Sequence, residues 1–274
     1  MSAEKHDMPR GNVGIHDFAV ISNEVVAPGI NRLEISSHVS WGLQPGQFMN
    51  FEVPGDKTHI LRIPLSFSSS DLVNSHVVIY YAVVGEGTER LSKMQPGDVS
   101  TVVGPCGNGW RLPEKGCKRA LLVAGGIGFP PVAAAAGMLA RAHIGFDVAI
   151  GVRNITGLVQ SQIEELRKFE RIDTDIVVAT DDGSIGIHGF ASHAAEQLLE
   201  KHTYDCVYAC GPQVMLASIA RLSEDHGLPC QVSMESMMGC GFGACGACNI
   251  PLKAGGYASC CMDGPVFDAE EVAW

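Results

Sequence analysis

The cysteines near the C-terminal end constrain this chain more than any other feature: Cys240-x4-Cys245-x2-Cys248, then Cys261 after a gap of twelve residues. That is the C-x4-C-x2-C…C spacing of plant-type 2Fe–2S sites. Three thiolates within nine residues must converge on adjacent irons, which forces a tight loop. Gly239, Gly241, Gly243 and Gly246 supply the backbone freedom and close approach that such a loop needs. Its N–H groups point inward at the sulfides and stabilise a reduced, negatively charged cluster. Two other readings stand beside this one. Cysteine also packs as a small apolar residue, which makes plain buried thiols a reading of the same residues. Zinc accepts four thiolates as well, although its sites usually present two C-x2-C-like knuckles, whereas the fourth ligand here stands apart with a second cysteine beside it. Cys260 and Cys261 are adjacent, only one should ligate, and spacing does not choose between them.

The chain's 274 residues leave room for about two domains with cores of their own, which excludes a disulfide-stapled miniprotein. With 46% hydrophobic and 18% charged residues, wholesale disorder is excluded too. Nineteen Lys+Arg against 30 Asp+Glu give a formal charge of −11, and no basic stretch tracks phosphates, so nucleic acid is not an expected partner. The opening MSAEKHDMPRGNVGIHDF lacks the apolar core of a secretory signal. A cytoplasmic location is therefore expected, where ten cysteines need a use other than disulfides. The uncharged run from Ala120 to Ala140 is long enough to span a membrane. Gly125-Gly126 and Pro130-Pro131 divide it into a β-rich piece and an Ala-rich piece, the pattern of a buried parallel strand feeding a helix, so no membrane contact is expected.

Residues 14–112 carry short alternating apolar runs cut by turn signals, such as Gln47–Val53 between Pro45-Gly46 and Pro54-Gly55, and Val77–Val84 closed by Gly85 and Gly87. Helical period is confined to a short stretch near Glu89 to Met94. This third reads as an antiparallel β-barrel. Residues 118–228 alternate instead: strands at Ala120–Ala124, Phe146–Val152, Asp175–Ala179 and Asp205–Ala209, with helices at Pro131–Arg141, Leu158–Phe169, Ala191–Glu200 and Val214–Asp225. Repeated βα winding implies a parallel sheet with helices on both faces. Residues 229–274 form a third, small and irregular domain with five of the ten cysteines in 235–264. It has too little apolar surface for an ordinary core.

Gly125-Gly126-Ile127-Gly128-Phe129-Pro130-Pro131 lies between the first strand and helix of that winding, where N–H groups and a helix N-terminus can hold a pyrophosphate. It departs from the ordinary dinucleotide fingerprint. Pro131 replaces the third glycine, and the second strand ends in Gly151-Val152-Arg153-Asn154 without a ribose-binding acid. The sequence therefore leaves NADH and NADPH undistinguished.

The G-G-x-G-x-x-P turn, the barrel before it and Cys210-Gly211-Pro212 after the fourth winding strand resemble the ferredoxin-NADP reductase superfamily. Adding Glu235-x-x-Met238-x-Cys240-Gly-x-Gly-x-Cys245-x-x-Cys248 and Cys261-Met262-Asp263-Gly264-Pro265-Val266-Phe267, the chain resembles electron-transfer subunits of class 1B dihydroorotate dehydrogenase over residues 14 to 270. The resemblance implies FAD on the barrel, NAD on the α/β domain and a 2Fe–2S cluster on Cys240, Cys245, Cys248 and Cys261. In the family a ligand directly precedes x-D-G-P-V-F, which selects Cys261. Related bifurcating subunits have Asp where Cys240 stands, which favours the dihydroorotate branch.

The family's flavin segment R-P-x-S falls on Ile63-Pro64-Leu65-Ser66, with Arg62 one place before the expected arginine. The second falls on Tyr80-Tyr81-Ala82, where the family often has Arg at the place of Ala82, and the third on Gly87-Thr88. Two missing cations leave the pyrophosphate to Arg62, Arg90 and backbone amides. Consecutive strand residues point to opposite faces, so only one of Tyr80 and Tyr81 can cover a flavin ring. For NAD the resemblance implies Gly125, Gly126 and Gly128, with Cys210, Gly211 and Pro212 near the nicotinamide. Gly104-Pro105-Cys106-Gly107-Asn108-Gly109 reads as structural first and flavin-adjacent second.

Nicotinamide gives two electrons as hydride and an iron–sulfur cluster takes one at a time; a flavin does both. No catalytic side chain is expected. The implied partner is an FMN-containing dihydroorotate dehydrogenase catalytic subunit, in a dimer of heterodimers, where dihydroorotate becomes orotate during pyrimidine biosynthesis. The competing functions are an NAD(P)H or bifurcating reductase subunit serving ferredoxin, sulfur compounds or another dehydrogenase, and a non-enzymatic iron–sulfur redox sensor.

Overall fold

The computed structural model describes residues 13–55, 59–169 and 174–274. The first twelve residues of the opening segment read above lie outside the described residues.

The N-terminal half is a curled antiparallel sheet of β1 (Gly14–Ala27), β2 (Ile30–Ser36), β3 (Phe48–Phe51), β4 (Ile63–Ser66), β5 (Ser69–Asp71), β6 (His76–Ala82) and β7 (Val99–Cys106). Its order is β4-β3-β7-β1-β2-β6-β5. The two edge strands, β4 and β5, are separated in the chain only by Phe67 and Ser68, and the Ser68 N–H donates to the Val78 carbonyl (2.8 Å). That short link pulls the edges together and curls the sheet. The interior is filled by one face of each strand: Phe18 and Val20, Leu33 and Ile35, Met49 and Phe51, Val77, Ile79 and Tyr81, and Val102. The helix expected near Glu89 starts earlier, as α1 (Glu86–Leu91).

The second half winds β8 (Arg119–Gly125), α2 (Phe129–Arg141), β9 (Gly145–Val152), α3 (Gln160–Arg167), β10 (Ile176–Thr180), β11 (Ile187–His188), α4 (Ala191–Lys201), β12 (Cys206–Cys210), α5 (Gln213–Asp225) and β13 (Cys230–Ser233). The sheet order is β11-β10-β9-β8-β12-β13, all parallel, with one antiparallel strand beyond β13. Strand order reverses between β8 and β12, which places a switch point at their carboxyl ends. Helix α2 accepts Pro130 and Pro131 because first-turn N–H groups have no intrahelical partner. It is apolar on all sides because it is buried on all sides: Val132, Ala133, Ala135, Ala136 and Leu139 pack on the sheet, while Ala134 enters the barrel core. Small side chains let the two halves close on it. No helix among the described residues is long and apolar enough to cross a membrane.

After β13 come a hairpin of β14 (Asn249–Pro251) and β15 (Tyr257–Ser259), then β16 (Val266–Asp268), the antiparallel strand paired with β13. The division expected at residue 229 therefore does not separate the sheets. Both ends of the cysteine segment are sewn into the α/β sheet, and Met234, Cys248, Ile250, Ala258, Phe267 and Val272 continue its core. The segment shares the core of the α/β half.

At the amino ends of β8, β9 and β10 sits a satisfied ionic network. Asp147, wholly buried, takes two bonds from Arg119, one from the Tyr204 hydroxyl and one from the Asp175 N–H. Asp175 in turn meets Lys201 and His202. Its place opposite the switch point makes it structural.

Candidate functional site

The cysteine loop, residues 239–248, is irregular, and Gly241 and Gly243 hold left-handed φ of 74° and 84°. This turns N–H groups inward: Ala244 donates to Cys240 Sγ (3.2 Å) and Cys240 donates to Cys245 Sγ (3.4 Å). Hydrogen bonds from backbone N–H groups, Phe242's first and then those of Cys245 and Ala244, push the Cys240 thiol down to about 7. The Cys261 thiol is pushed up to about 12, first by burial and then by the neighbouring Cys248. Cys240 and Cys245 thus share the inward N–H groups of the loop, and Cys261 stands beside Cys248. A dinuclear cluster uses four cysteines, and donor chemistry and inward amides both fit it. The four do not form a single-ion cage: among the described residues, the group whose donors all lie within 4.8 Å of one another is Asp147, Asp175 and His202. Cys260 and Cys261 are both buried in the core, and Cys261 also lines the crevice against the barrel, with Gly241, Phe242, Cys106 and Asn108.

The barrel meets this loop through two asparagines that the sequence reading did not single out as site residues. Asn108 Nδ2 donates to the carbonyls of Met262 and Asp263 (3.1 Å each), and its N–H donates to Gly264 O (2.6 Å). The Gly104–Gly109 turn is therefore a clamp on the segment that follows Cys261. Asn50, 3% exposed on β3, faces outward and packs against Gly241, where a Cβ would collide with its amide. An outward Asn between the inward Met49 and Phe51 is the signal that was available.

On β4, Ile63 and Leu65 turn into the barrel core, so strand alternation puts Pro64 and Ser66 on the outer face with Arg62. The Arg62 guanidinium donates to the carbonyls of Asn50 (3.4 Å) and Thr101 (3.1 Å) and to Thr101 Oγ1 (3.0 Å), which ties the start of β4 to β3 and β7. The tyrosines divide as alternation requires. Tyr81 lies in the barrel core, its hydroxyl donating to Asn23, and Tyr80 faces the α/β half, its hydroxyl on Ser161 and its ring beside Val159 and Ile127. Ala82 ends β6, half-buried. Gly87 abuts Ile63, and the Thr88 hydroxyl is spent on its own turn, accepting from Val84 and Gly85 N–H and donating to Gly85 O.

At the switch point, Gly125-Gly126-Ile127-Gly128 and Cys210-Gly211-Pro212 interlock. Cys210 pairs with Ala124, and a Cβ on Gly128 would land on the Cys210 carbonyl and 2.7 Å from Gly211 N. Cys210 itself is buried in the core beneath α2, and burial, followed by the charge of Glu235, pushes its thiol up to about 12.

Residues 235–273 match the iron–sulfur cluster binding domain of dihydroorotate dehydrogenase B. The electron transfer subunit of dihydroorotate dehydrogenase B (NAD(+)) from Desulforamulus reducens is 31% identical over 95% of this chain and 98% of its own length. That from Geobacillus thermodenitrificans is 36% identical over 95% and 99%. Among solved structures, an NADH-dependent reduced ferredoxin-NADP oxidoreductase studied for flavin-based electron bifurcation superposes with a TM-score of 0.82 at 28% identity, covering 93% of this chain and 89% of that one. The ferredoxin reductase of carbazole 1,9a-dioxygenase, at TM-score 0.65 and 19% identity over 79% and 67%, shares the fold.

Proposed function

The chain belongs to the family of electron transfer subunits of dihydroorotate dehydrogenase B, and from that premise we propose how its parts divide the work. Cys240, Cys245, Cys248 and Cys261 hold a 2Fe–2S cluster. FAD lies on the outer face of the barrel, along Arg62, Pro64 and Ser66, with Tyr80 and the Gly87–Thr88 turn beside it. NAD binds at the switch point, on Gly125, Gly126 and Gly128 with Gly211 and Pro212. Residues 14–112 are the flavin half, the α/β half starts at 118, and the cluster segment follows from 229. A flavin exchanges hydride with NAD and single electrons with a cluster. The chain's own residues bind, orient and space these groups, and no side chain acts as acid or base. The partner is the FMN-containing catalytic subunit that oxidises dihydroorotate, in a dimer of heterodimers in the cytoplasm.

The observation that carries this reading is a loop, packed through Gly241 on Asn50 of the barrel, that turns backbone N–H groups inward onto the Cys240 and Cys245 thiols. The similarity to an NADH-dependent ferredoxin-NADP oxidoreductase supports a second reading, a reductase subunit serving another acceptor. Anaerobic purification, iron and flavin analysis, and absorption and EPR spectra before and after NADH test the cofactors. Bleached flavin bands with a one-electron cluster signal are expected; a colourless, zinc-containing protein overturns the assignment. Adding a dihydroorotate dehydrogenase catalytic subunit then separates the two readings, because only the first expects dihydroorotate-dependent reduction of NAD.

A further inference from the structure

Asn50 joins the expected flavin strand to the cysteine loop. Its backbone pairs with Pro64 of β4, in the centre of the Ile63–Ser66 segment. Its carbonyl accepts from Arg62. Its side chain leaves the opposite side of the strand plane from Met49 and Phe51, and lies against Gly241, one residue after Cys240. The amide is oriented: Nδ2 donates to Cys106 Sγ at 3.5 Å, and this same nitrogen is the atom nearest to where a Gly241 Cβ would stand. The donor end of the amide dipole therefore faces the cysteine loop, in a site only 3% exposed. Water does not screen it there. A polar amide on an otherwise apolar strand also costs free energy to bury, which a residue of pure packing would not incur.

We propose that Asn50 sets the reduction potential of the cluster, its amide N–H end stabilising the extra negative charge of the reduced state. The proposal rests on the cluster assignment above and deepens it. Hydrogen bonds and dipoles directed at a cluster's sulfur shell are a recognised lever on its potential, together with burial. Gly241 is what lets the lever reach, because any side chain there would displace the amide. Cys106 fixes its direction: a thiol accepting the Asn50 N–H keeps the nitrogen, and not the oxygen, toward the loop.

The test uses the whole chain as isolated with its cofactors, and compares wild type with Asn50→Leu and Asn50→Asp by EPR-monitored redox titration of the cluster. Asn50→Leu keeps the side-chain branching and heavy-atom count and removes the donor. Asn50→Asp keeps the shape and replaces the donor with negative charge. The midpoint is expected to fall in the order wild type, Leu, Asp, with the first step near a tenfold change in the one-electron equilibrium constant, about 59 mV. Equal midpoints in all three, or loss of the cluster from both variants, overturn the proposal and leave Asn50 a packing residue. The wild-type EPR signal reports separately on whether a cluster is present at all, so failure of the underlying assignment is told apart from failure of this inference.

Discussion

Asn108 on the barrel and Met262 in the cysteine segment, 154 positions apart in the chain, are joined by a 3.1 Å hydrogen bond from Nδ2 to the backbone carbonyl. The next carbonyl, Asp263, takes the same amide, and the Asn108 N–H takes Gly264. One side chain thereby fixes the segment that carries Cys261 to the half of the molecule that presents β4. Asn108→Ala removes the two side-chain bonds at about 1 kcal/mol each. The expected result is faster loss of iron from the purified chain with flavin content unchanged, measured as iron and flavin per protein after gel filtration over several hours. Unaltered iron retention would show that the backbone bond to Gly264 suffices.

Arg62 makes three hydrogen bonds to β3 and β7, which a solvated surface charge does not make, yet it shares the outer face with Pro64 and Ser66. The two roles separate in Arg62→Gln, which keeps N–H donors for the carbonyls and loses the charge. FAD affinity is expected to weaken about tenfold, roughly 1.4 kcal/mol, with little change in melting temperature. A lowered melting temperature at constant FAD affinity would make Arg62 a tether alone. Isothermal titration of the flavin-stripped chain provides the affinity.

What the sequence made legible follows from where local signals are strong. The eight winding elements of the α/β half fall within a few residues of their expected bounds, because Gly and Pro mark their ends and the periods are long enough to count. The hairpin at 249–259 and the strands Cys230–Ser233 and Val266–Asp268 were not legible: every strand is three or four residues long, too short for a period to show, and Val266–Asp268 is held by pairing to Cys230–Ser233 across the cysteine segment. Among site residues, Cys240, Cys245 and Cys248 announce themselves by spacing within one loop. Asn50 and Asn108 do not, since their partners lie more than 150 residues away and no local pattern encodes a contact across two sheets.

Asp147 is wholly buried and Arg119 caps it with two charge-assisted bonds of 2.6 and 2.8 Å. Removing one partner of a buried pair leaves the other charge uncompensated, at about 3–5 kcal/mol. Asp147→Ala is expected to lower the urea midpoint by that amount of stability, while cofactor spectra of the folded fraction stay as in wild type. A loss below 1 kcal/mol by the same denaturation curve would mean that water replaces the carboxylate.

The cysteine loop carries a pH signature in the metal-free chain. Cys240 ionises at about 7, because backbone N–H groups favour its thiolate, whereas Cys261 is held near 12 by burial and by Cys248. Lowering of the Cys240 value means that thiolate is present above pH 7 and is lost as pH falls through it. Alkylation of the iron-free chain, followed residue by residue by mass spectrometry, should therefore reach half its plateau rate near that pH at Cys240 and stay slow at Cys261 throughout the neutral range. Since ligation requires deprotonated sulfur, the first iron is expected to enter at the Cys240 side.

Gly128 touches the backbone of Cys210 and Gly211, so the two turns at the switch point can approach only while that position lacks a side chain. In Gly128→Ala the new methyl must push the carbonyl of Cys210 away, and the nucleotide turn with it. A shift on the order of 1 Å misplaces a bound nicotinamide enough to cost about a hundredfold in reduction rate. Stopped-flow absorbance should show NADH bleaching the flavin that much more slowly, while dithionite, which needs no nucleotide site, still generates the full cluster EPR signal. If dithionite fails as well, the substitution has disrupted the cofactor-bearing fold and not the NAD site alone.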